Sequence, residues 1–309
     1  MSEKIALLDL GTNTFHILLA EVEEGIPRIL INKKVAVKIG QEGIVKGLIT
    51  ELAQERAINT IRDFAQIIEK EGANVVFATA TSAIRNAKNG KQLIEKIYRA
   101  TGIVVRVISG DEEAIYIYEG IKTALDIGKK SSMIMDIGGG SVEFIICTED
   151  KILWKESFEI GAQRLLDHFH DQDPISKNEI GKLRDYLDSQ LQSLKRAIKE
   201  FKPTILIGAS GSFDTVAEIS CQSKGSVFHG EHKELELQIE EYKSIHQQIV
   251  NSTKKERLLI PGMIEMRVDM IVVACCLIEY ILEAQNPAVI RISTASLKEG
   301  LLSMAIKDR

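Results

Sequence analysis

Four cysteines in 309 residues, none in a C-x-x-C spacing, give no disulfide framework and no thiolate metal site. Cys275 and Cys276 are neighbours in an apolar helical run, and with Cys147 and Cys221 they read as buried, reduced thiols of a cytoplasmic protein. Long apolar runs are also missing. The longest, 270–278, falls well short of the roughly 20 residues of a membrane span, and Met1-Ser-Glu-Lys leads straight into a strand-like stretch without a signal-peptide core. Neither secretion nor a membrane is expected. Basic charge is in deficit, 39 Lys and Arg against 44 Asp and Glu, so no global field draws nucleic acid. Any polyanion must be held by local groups. Aromatic residues make up only 5% and do not interleave with a basic stripe, which removes a base-stacking platform. The six histidines form no H-E-x-x-H pattern, and His16 reads as a packed strand residue. No G-x-S-x-G elbow and no G-x-x-x-x-G-K-[ST] loop occurs, against an α/β-hydrolase or a P-loop enzyme.

What the chain does contain is a duplication. Residues 5–20 (IALLDLGTNTFHILLA) and 133–147 (MIMDIGGGSVEFIIC) align with Asp9 on Asp136, Gly11 on Gly138 and Thr14 on Ser141. Each copy is an apolar strand, an Asp, a small polar turn and a second apolar strand, with third strands expected at 27–31 and 151–156. Helical periodicity follows at 51–71 and 176–201, each helix leading to a short apolar strand and a small-residue turn at 75–82 (VVFATATS) and 205–212 (ILIGASGS). Four elements in one order predict two similar α/β halves whose loops face each other across a cleft. The halves are read as 1–126 and 127–309, with a last helix at about 297–309 that packs back on the first. The polar stretch 220–256 reads as a helix–loop excursion of the second half.

An Asp that ends a buried strand is costly unless it is hydrogen-bonded, paired or beside a metal. Behind Asp9 and Asp136 lie turns of little bulk: Gly11, Thr12, Asn13 and Thr14 in one, Gly138, Gly139, Gly140 and Ser141 in the other. Their N–H groups can close around phosphate oxygens. A tight hairpin with Asp bonded to its own turn is the bland alternative. Two such turns face to face suit a phosphate chain with Mg²⁺, which one or two carboxylates and water hold. Glu143 shares a strand face with Ser141, either near metal and water or solvated.

In SGDEEAIYIYEGIKTAL (109–125), Ser109 and Glu112 have capping-box spacing, which leaves Glu113 on the inward side with Ile117 and Gly120. At a helix start Glu113 should stay ionised near neutrality, as a general base must, unless it is a plain surface glutamate. Ser82 and Arg85 in TSAIRNA (81–87) stand where a loop enters a helix, a place suited to anions. Gly208, Ser210, Gly211 and Ser212 take the corresponding place in the second half. Arg267 precedes an apolar helix; a surface Arg with Asp269 as the helix cap is the bland alternative there.

Taken in order, DLGTNTFHILLA, ATATSAIRNA, VISGDEEAIYIYEG, MDIGGGSVEF, GASGSFDTVAEI and IPGMIEMRVDMIVVA resemble the exopolyphosphatase/guanosine pentaphosphate phosphohydrolase family. The resemblance spans nearly all of 4–303 and implies a duplicated, ribonuclease H-like fold of the actin-like ATPase superfamily. It implies release of terminal phosphate from inorganic polyphosphate or from pppGpp. By motif position, Glu113 matches the catalytic base; Asp136 and Glu143 match the acidic residues near Mg²⁺ or its water, with Asp9 in the first phosphate loop. Arg85 and Arg267 match arginines near the anion. Mg²⁺ or Mn²⁺, a monovalent cation such as K⁺ and a homodimer are further implications. The tail STASLKEG departs from the family's S-x-x-G-L-R-E-G at Ser296 and Lys298, and the chain is similar to the short, two-domain branch. Rival readings are a sugar or acid kinase, a non-catalytic alarmone-binding regulator and a filament-forming ATPase.

Overall fold

The computed structural model describes residues 3–228 and 232–307. The first half runs β1 (Glu3–Leu10), β2 (Thr14–Glu23), β3 (Ile26–Ala36), α1 (Glu51–Glu71), β4 (Val75–Ala80), α2 (Ser82–Asn86), α3 (Gly90–Thr101), β5 (Val105–Val107) and α4 (Gly110–Ala124). The second begins with β6 (Ser132–Ile137), β7 (Val142–Cys147), β8 (Ile152–Phe158), α5 (Ala162–Phe169), α6 (Lys177–Gln190), α7 (Gln192–Phe201), β9 (Ile205–Ala209) and α8 (Ser210–Ser223). It ends with β10 (Glu234–Leu237), α9 (Ile239–Val250), α10 (Lys254–Arg257), α11 (Met270–Gln285), β11 (Val289–Ser293) and α12 (Leu297–Lys307).

The two sheets repeat one topology. The first has the order β3-β2-β1-β4-β5, the second β10-β11-β9-β6-β7-β8. Read from its other edge, the second is the same five-strand order with β10 added, the ribonuclease H-like arrangement twice over. In each, a meander of three antiparallel strands is extended by parallel strands, which require helical crossovers. α1 shows why these helices form where they do. Thr50 Oγ1 accepts from the Ala53 N–H, Gly72 closes the end in the left-handed region, and Ala53, Ala57, Ile61, Phe64 and Ile68 make one buried stripe.

Three local expectations change. The helix expected over 176–201 is two, α6 and α7, divided at the fully buried Leu191; the bonds from Leu191 N to Leu187 O and from Lys195 N to Leu191 O carry the chain across the bend. The excursion at 220–256 contains a strand, β10, which pairs with β11. Its alternation spans only four residues, too few to read against a polar background. Asp269 makes no side-chain cap for α11 and binds Lys254 Nζ instead, at 2.7 Å.

The halves exchange their last helices. α4 follows the first sheet, yet its Ala114, Ile117, Tyr118 and Ile121 pack with Ile134, Ile145 and Ile207 of the second. α12 follows the second sheet, yet Leu301 and Leu302 pack with Ile5, Leu7, Leu18 and Ala20 of the first. The two helices cross at Gly120 and Gly300. A Cβ on Gly120 would stand 1.9 Å from Ser296 O, and one on Gly300 1.7 Å from Tyr116 O, so only glycine permits this approach. Among the described residues no helix is long and apolar enough to cross a membrane.

Candidate active site

The turns after β1 and β6 are built alike. Gly11 N donates to Thr14 O and Gly138 N to Ser141 O, both at 3.1 Å. Further carbonyls are occupied from outside. Thr12 O accepts from Gly40 N, and Asn13 O from Val37 N and Lys38 N. In the second turn, the carbonyls of Gly138, Gly139 and Gly140 accept from the N–H groups of Ala162, Gln163 and Gly161 at the start of α5. With the carbonyls turned outward, the N–H groups of Thr12, Asn13, Gly139 and Gly140 donate to no acceptor among the described residues. Such N–H groups form a concavity that favours an anion. The turns also touch: a Cβ on Gly139 would meet Asn13 Nδ2 at 2.3 Å, and one on Gly140 would meet Ser82 Oγ and Thr12 Oγ1 at 2.6 Å.

Between the halves lies a cavity of about 680 Å³. All the sequence-predicted site residues line it except Arg85, Glu143, Gly208 and Ser212. Gly208 serves packing: a Cβ there would meet the Phe213 ring at 2.1 Å. Ser212 is buried in α8 and does not line the cavity. Gly211 makes room for Arg267, whose Nη2 would be 2.2 Å from a Cβ at that position. Ser210 adopts φ +69°, unusual for a side chain, and thereby donates to Asp136 Oδ2 at 2.8 Å. Ser296, one of the two departures in the tail, donates to the same oxygen.

Glu113 is 7% exposed and lines the cavity from the first turn of α4. Its Oε2 accepts from Arg85 Nη1 at 2.8 Å, and the same nitrogen reaches Ile108 O at 3.1 Å. Arg85 therefore holds a carboxylate where the sequence suggested a phosphate. Burial, and then the nearby Glu143, push Glu113 well above the usual carboxylate range despite Arg85. This overrides the helix-start effect that was expected to keep it ionised. Glu143 is itself buried. It stands beside β8, where Ser141 Oγ and Ser157 Oγ each donate to its Oε1 at 2.7 Å, and burial followed by Asp136 raises it to about 7.

Asp9 carries one oxygen, Oδ1, that is buried without a partner, and burial raises its carboxyl to about 7. A hard cation would satisfy that oxygen. Among the described residues no three His, Cys, Asp or Glu side chains converge as a ligand cage. The donor set is compatible with a hydrated Mg²⁺ held at Asp9 and Asp136, with Glu143 paired in register with Asp136 and held by its two serines.

Lining residues outside the predicted site set include His16, Lys34, Asp214 and Lys298. His16 pairs in register with Asp9, and Glu143 with Asp136, so His16 takes in the first half the place Glu143 takes in the second. Its alignment with Glu143 was the available signal. Burial, and then the charges of Lys298 and Lys34, hold its imidazole well below the usual range, and its Nε2 lies 3.1 Å from Thr14 Oγ1. Enclosure by the cleft and repulsion from Arg267 lower Lys34 to about 8, although its side chain still reaches solvent.

The Ppx/GppA phosphatase family matches residues 18–308. The chain belongs to that family. It is similar to an exopolyphosphatase from Cytophaga hutchinsonii, 43% identical, with a TM-score of 0.96 over 99% of this chain and 98% of that one. Exopolyphosphatase 1 of Mycobacterium leprae is 25% identical over 301 residues, 97% of this chain and 88% of its own length. A Ppx/GppA enzyme of Aquifex aeolicus, 23% identical over 98% of this chain and 100% of that one, shares the fold with a TM-score of 0.80. The duplicated two-domain α/β architecture is thus that of the Ppx/GppA phosphatases.

Proposed function

We propose that this protein is an exopolyphosphatase, which removes the terminal phosphate of inorganic polyphosphate by direct attack of water. The observation that carries the reading is the pair of matched turns with outward carbonyls and open N–H groups, set around a cavity into which Glu113 faces. The names of the Cytophaga hutchinsonii and Mycobacterium leprae relatives agree with it. Phosphoryl transfer needs little covalent help and much positioning and charge stabilisation. The N–H groups of Thr12, Asn13, Gly139 and Gly140 receive the terminal phosphoryl oxygens, and Arg267 and Lys298 offset the charge of the next phosphates. Glu113, when ionised, accepts a proton from the attacking water and orients it, with Arg85 fixing the carboxylate. Mg²⁺ or Mn²⁺ bound at Asp9 and Asp136 would neutralise phosphate oxygens as the bridging oxygen leaves.

The 5′ end of pppGpp presents the same chain of phosphates, and Ile264 and Met266 on the cavity wall offer apolar surface beside it for a base. It is the second substrate to test. Purified protein with Mg²⁺, with and without K⁺, is incubated with polyphosphates of several lengths, pppGpp and ATP, and released phosphate is measured. Release from polyphosphate in the absence of any acceptor is expected, which a sugar or acid kinase would not give. Tight ppGpp binding with no phosphate release from any of them overturns the hydrolase reading in favour of a non-catalytic regulator.

A further inference from the structure

Glu159 lies between β8 and α5, in the second half, and its carboxylate crosses to the first. Oε2 accepts from Ser82 Oγ at 2.7 Å and from Arg164 Nη2 at 2.9 Å, while Oε1 accepts a longer bond of 3.4 Å from Arg85 Nη2. Arg164, on α5, also spans the halves, donating to Gly140 O at 2.8 Å and to Ile44 O at 3.2 Å. Arg85 is thus gripped from two sides, by Glu113 and the Ile108 carbonyl on one and by Glu159 on the other.

A guanidinium on a long side chain keeps rotational freedom when it has one partner and loses it when its fork is held at both ends. We propose that Glu159 is a positioning residue for hydrolysis: it fixes Arg85, and through Arg85 the carboxylate of Glu113. Arg164 makes this arrangement conditional, because the same contact set seats the Gly138–Gly140 turn against the first half. The carboxylate and the phosphate cradle therefore reach their working places together. Glu159 does not itself line the cavity, and of the lining residues it is Ser82 that it holds. Its side chain is 43% exposed, so its ion pairs add little to stability and their contribution lies in geometry. The inference rests on Glu113 acting as the base.

The test compares Glu159→Gln, Arg164→Met and the double variant in the full chain. Misplacing a catalytic group by a fraction of an ångström costs on the order of tenfold, so each single variant is expected to lower kcat by about tenfold. In Glu159→Gln, KM should stay within about twofold and the melting temperature within roughly 2 °C, whereas Arg164→Met, which also frees the Gly138–Gly140 turn, should raise KM as well. The double variant should be no slower than the slower single variant, because both act through one contact set. Amide exchange across α2 should accelerate in both single variants, a readout that needs no substrate. A kcat within about twofold of the parent, multiplying losses in the double variant, or unchanged exchange across α2 would each overturn the proposal. If the parent itself released no phosphate from polyphosphate, the functional reading would fall, and α2 exchange would still decide whether Glu159 holds this segment.

Discussion

Arg85 and Glu113 form a buried ion pair, Nη1 to Oε2 at 2.8 Å, with side chains only 16% and 9% exposed. The pairing fixes the carboxylate in the cavity wall and leaves its second oxygen for water. Replacing Glu113 with Gln keeps the shape and removes the proton acceptor. Turnover of polyphosphate should fall by about 10²–10⁴-fold, the usual weight of a general base. Binding of polyphosphate, followed by fluorescence or calorimetry, should change by less than about threefold. Unchanged turnover would remove Glu113 from the mechanism.

The elevated carboxyls set the pH response. Glu113 must be ionised to accept a proton, and burial with Glu143 nearby raises it. Activity should therefore rise with pH, and the acidic limb of kcat/KM should lie well above the ordinary glutamate range. Stability runs the other way. Glu143 is raised from 4.5 to about 7, so its protonated form favours the fold. That contribution is complete below about 4.5 and is lost as pH climbs to about 7. Melting in the absence of divalent cation should accordingly show a stabilising contribution that fades across this window, and Glu143→Gln should flatten it. A pH-independent difference between parent and variant would contradict the assignment.

Much of this site was legible because it is local. Asp9, Gly11 and Thr14 repeat as Asp136, Gly138 and Ser141, and the structure builds the same turn from both sets. The Ser109–Glu112 capping box that leaves Glu113 inward is likewise written in four consecutive positions. What escaped was set by distant partners. Arg85 read as a phosphate clamp because its carboxylate partners, Glu113 and Glu159, come from other elements. Gly208 read as part of a phosphate loop, although the Phe213 ring explains it. His16 read as packing, since the strand pattern alone does not tell which buried face opens on a cavity.

Divalent cation should bind through Asp9 and Asp136. In Asp136→Asn the acceptor of the Ser210 and Ser296 hydroxyls persists while the charge is gone. The Mg²⁺ concentration giving half-maximal phosphate release should rise at least about tenfold, since each charged contact contributes roughly 1.5–3 kcal/mol. Mg²⁺ should also raise the melting temperature of the parent by mass action and that of the variant far less. An identical Mg²⁺ titration in both proteins would argue against this role for Asp136.

The crossing of α4 and α12 ties the halves together and lies directly beside the cavity, since Ile117 on one helix and Leu297, Lys298 and Glu299 on the other line it. At the crossing, a methyl group on Gly120 would fall 1.9 Å from the carbonyl oxygen of Ser296, just ahead of α12, and one on Gly300 1.7 Å from that of Tyr116 in α4. Backbone cannot swing aside as a side chain can, so the helices must separate. Gly120→Ala and Gly300→Ala should each cost about 1–3 kcal/mol or more by overpacking, read as a lower urea midpoint. Gly181, on α6, has nothing near its Cβ position and supplies the control. There, Gly→Ala should stabilise the helix by roughly 0.5–1 kcal/mol. Because Lys298 and Ser296 move with α12, the crossing variants should also raise KM for polyphosphate even where the protein remains folded. Wild-type stability and KM in both would mean that the helices do not meet this closely.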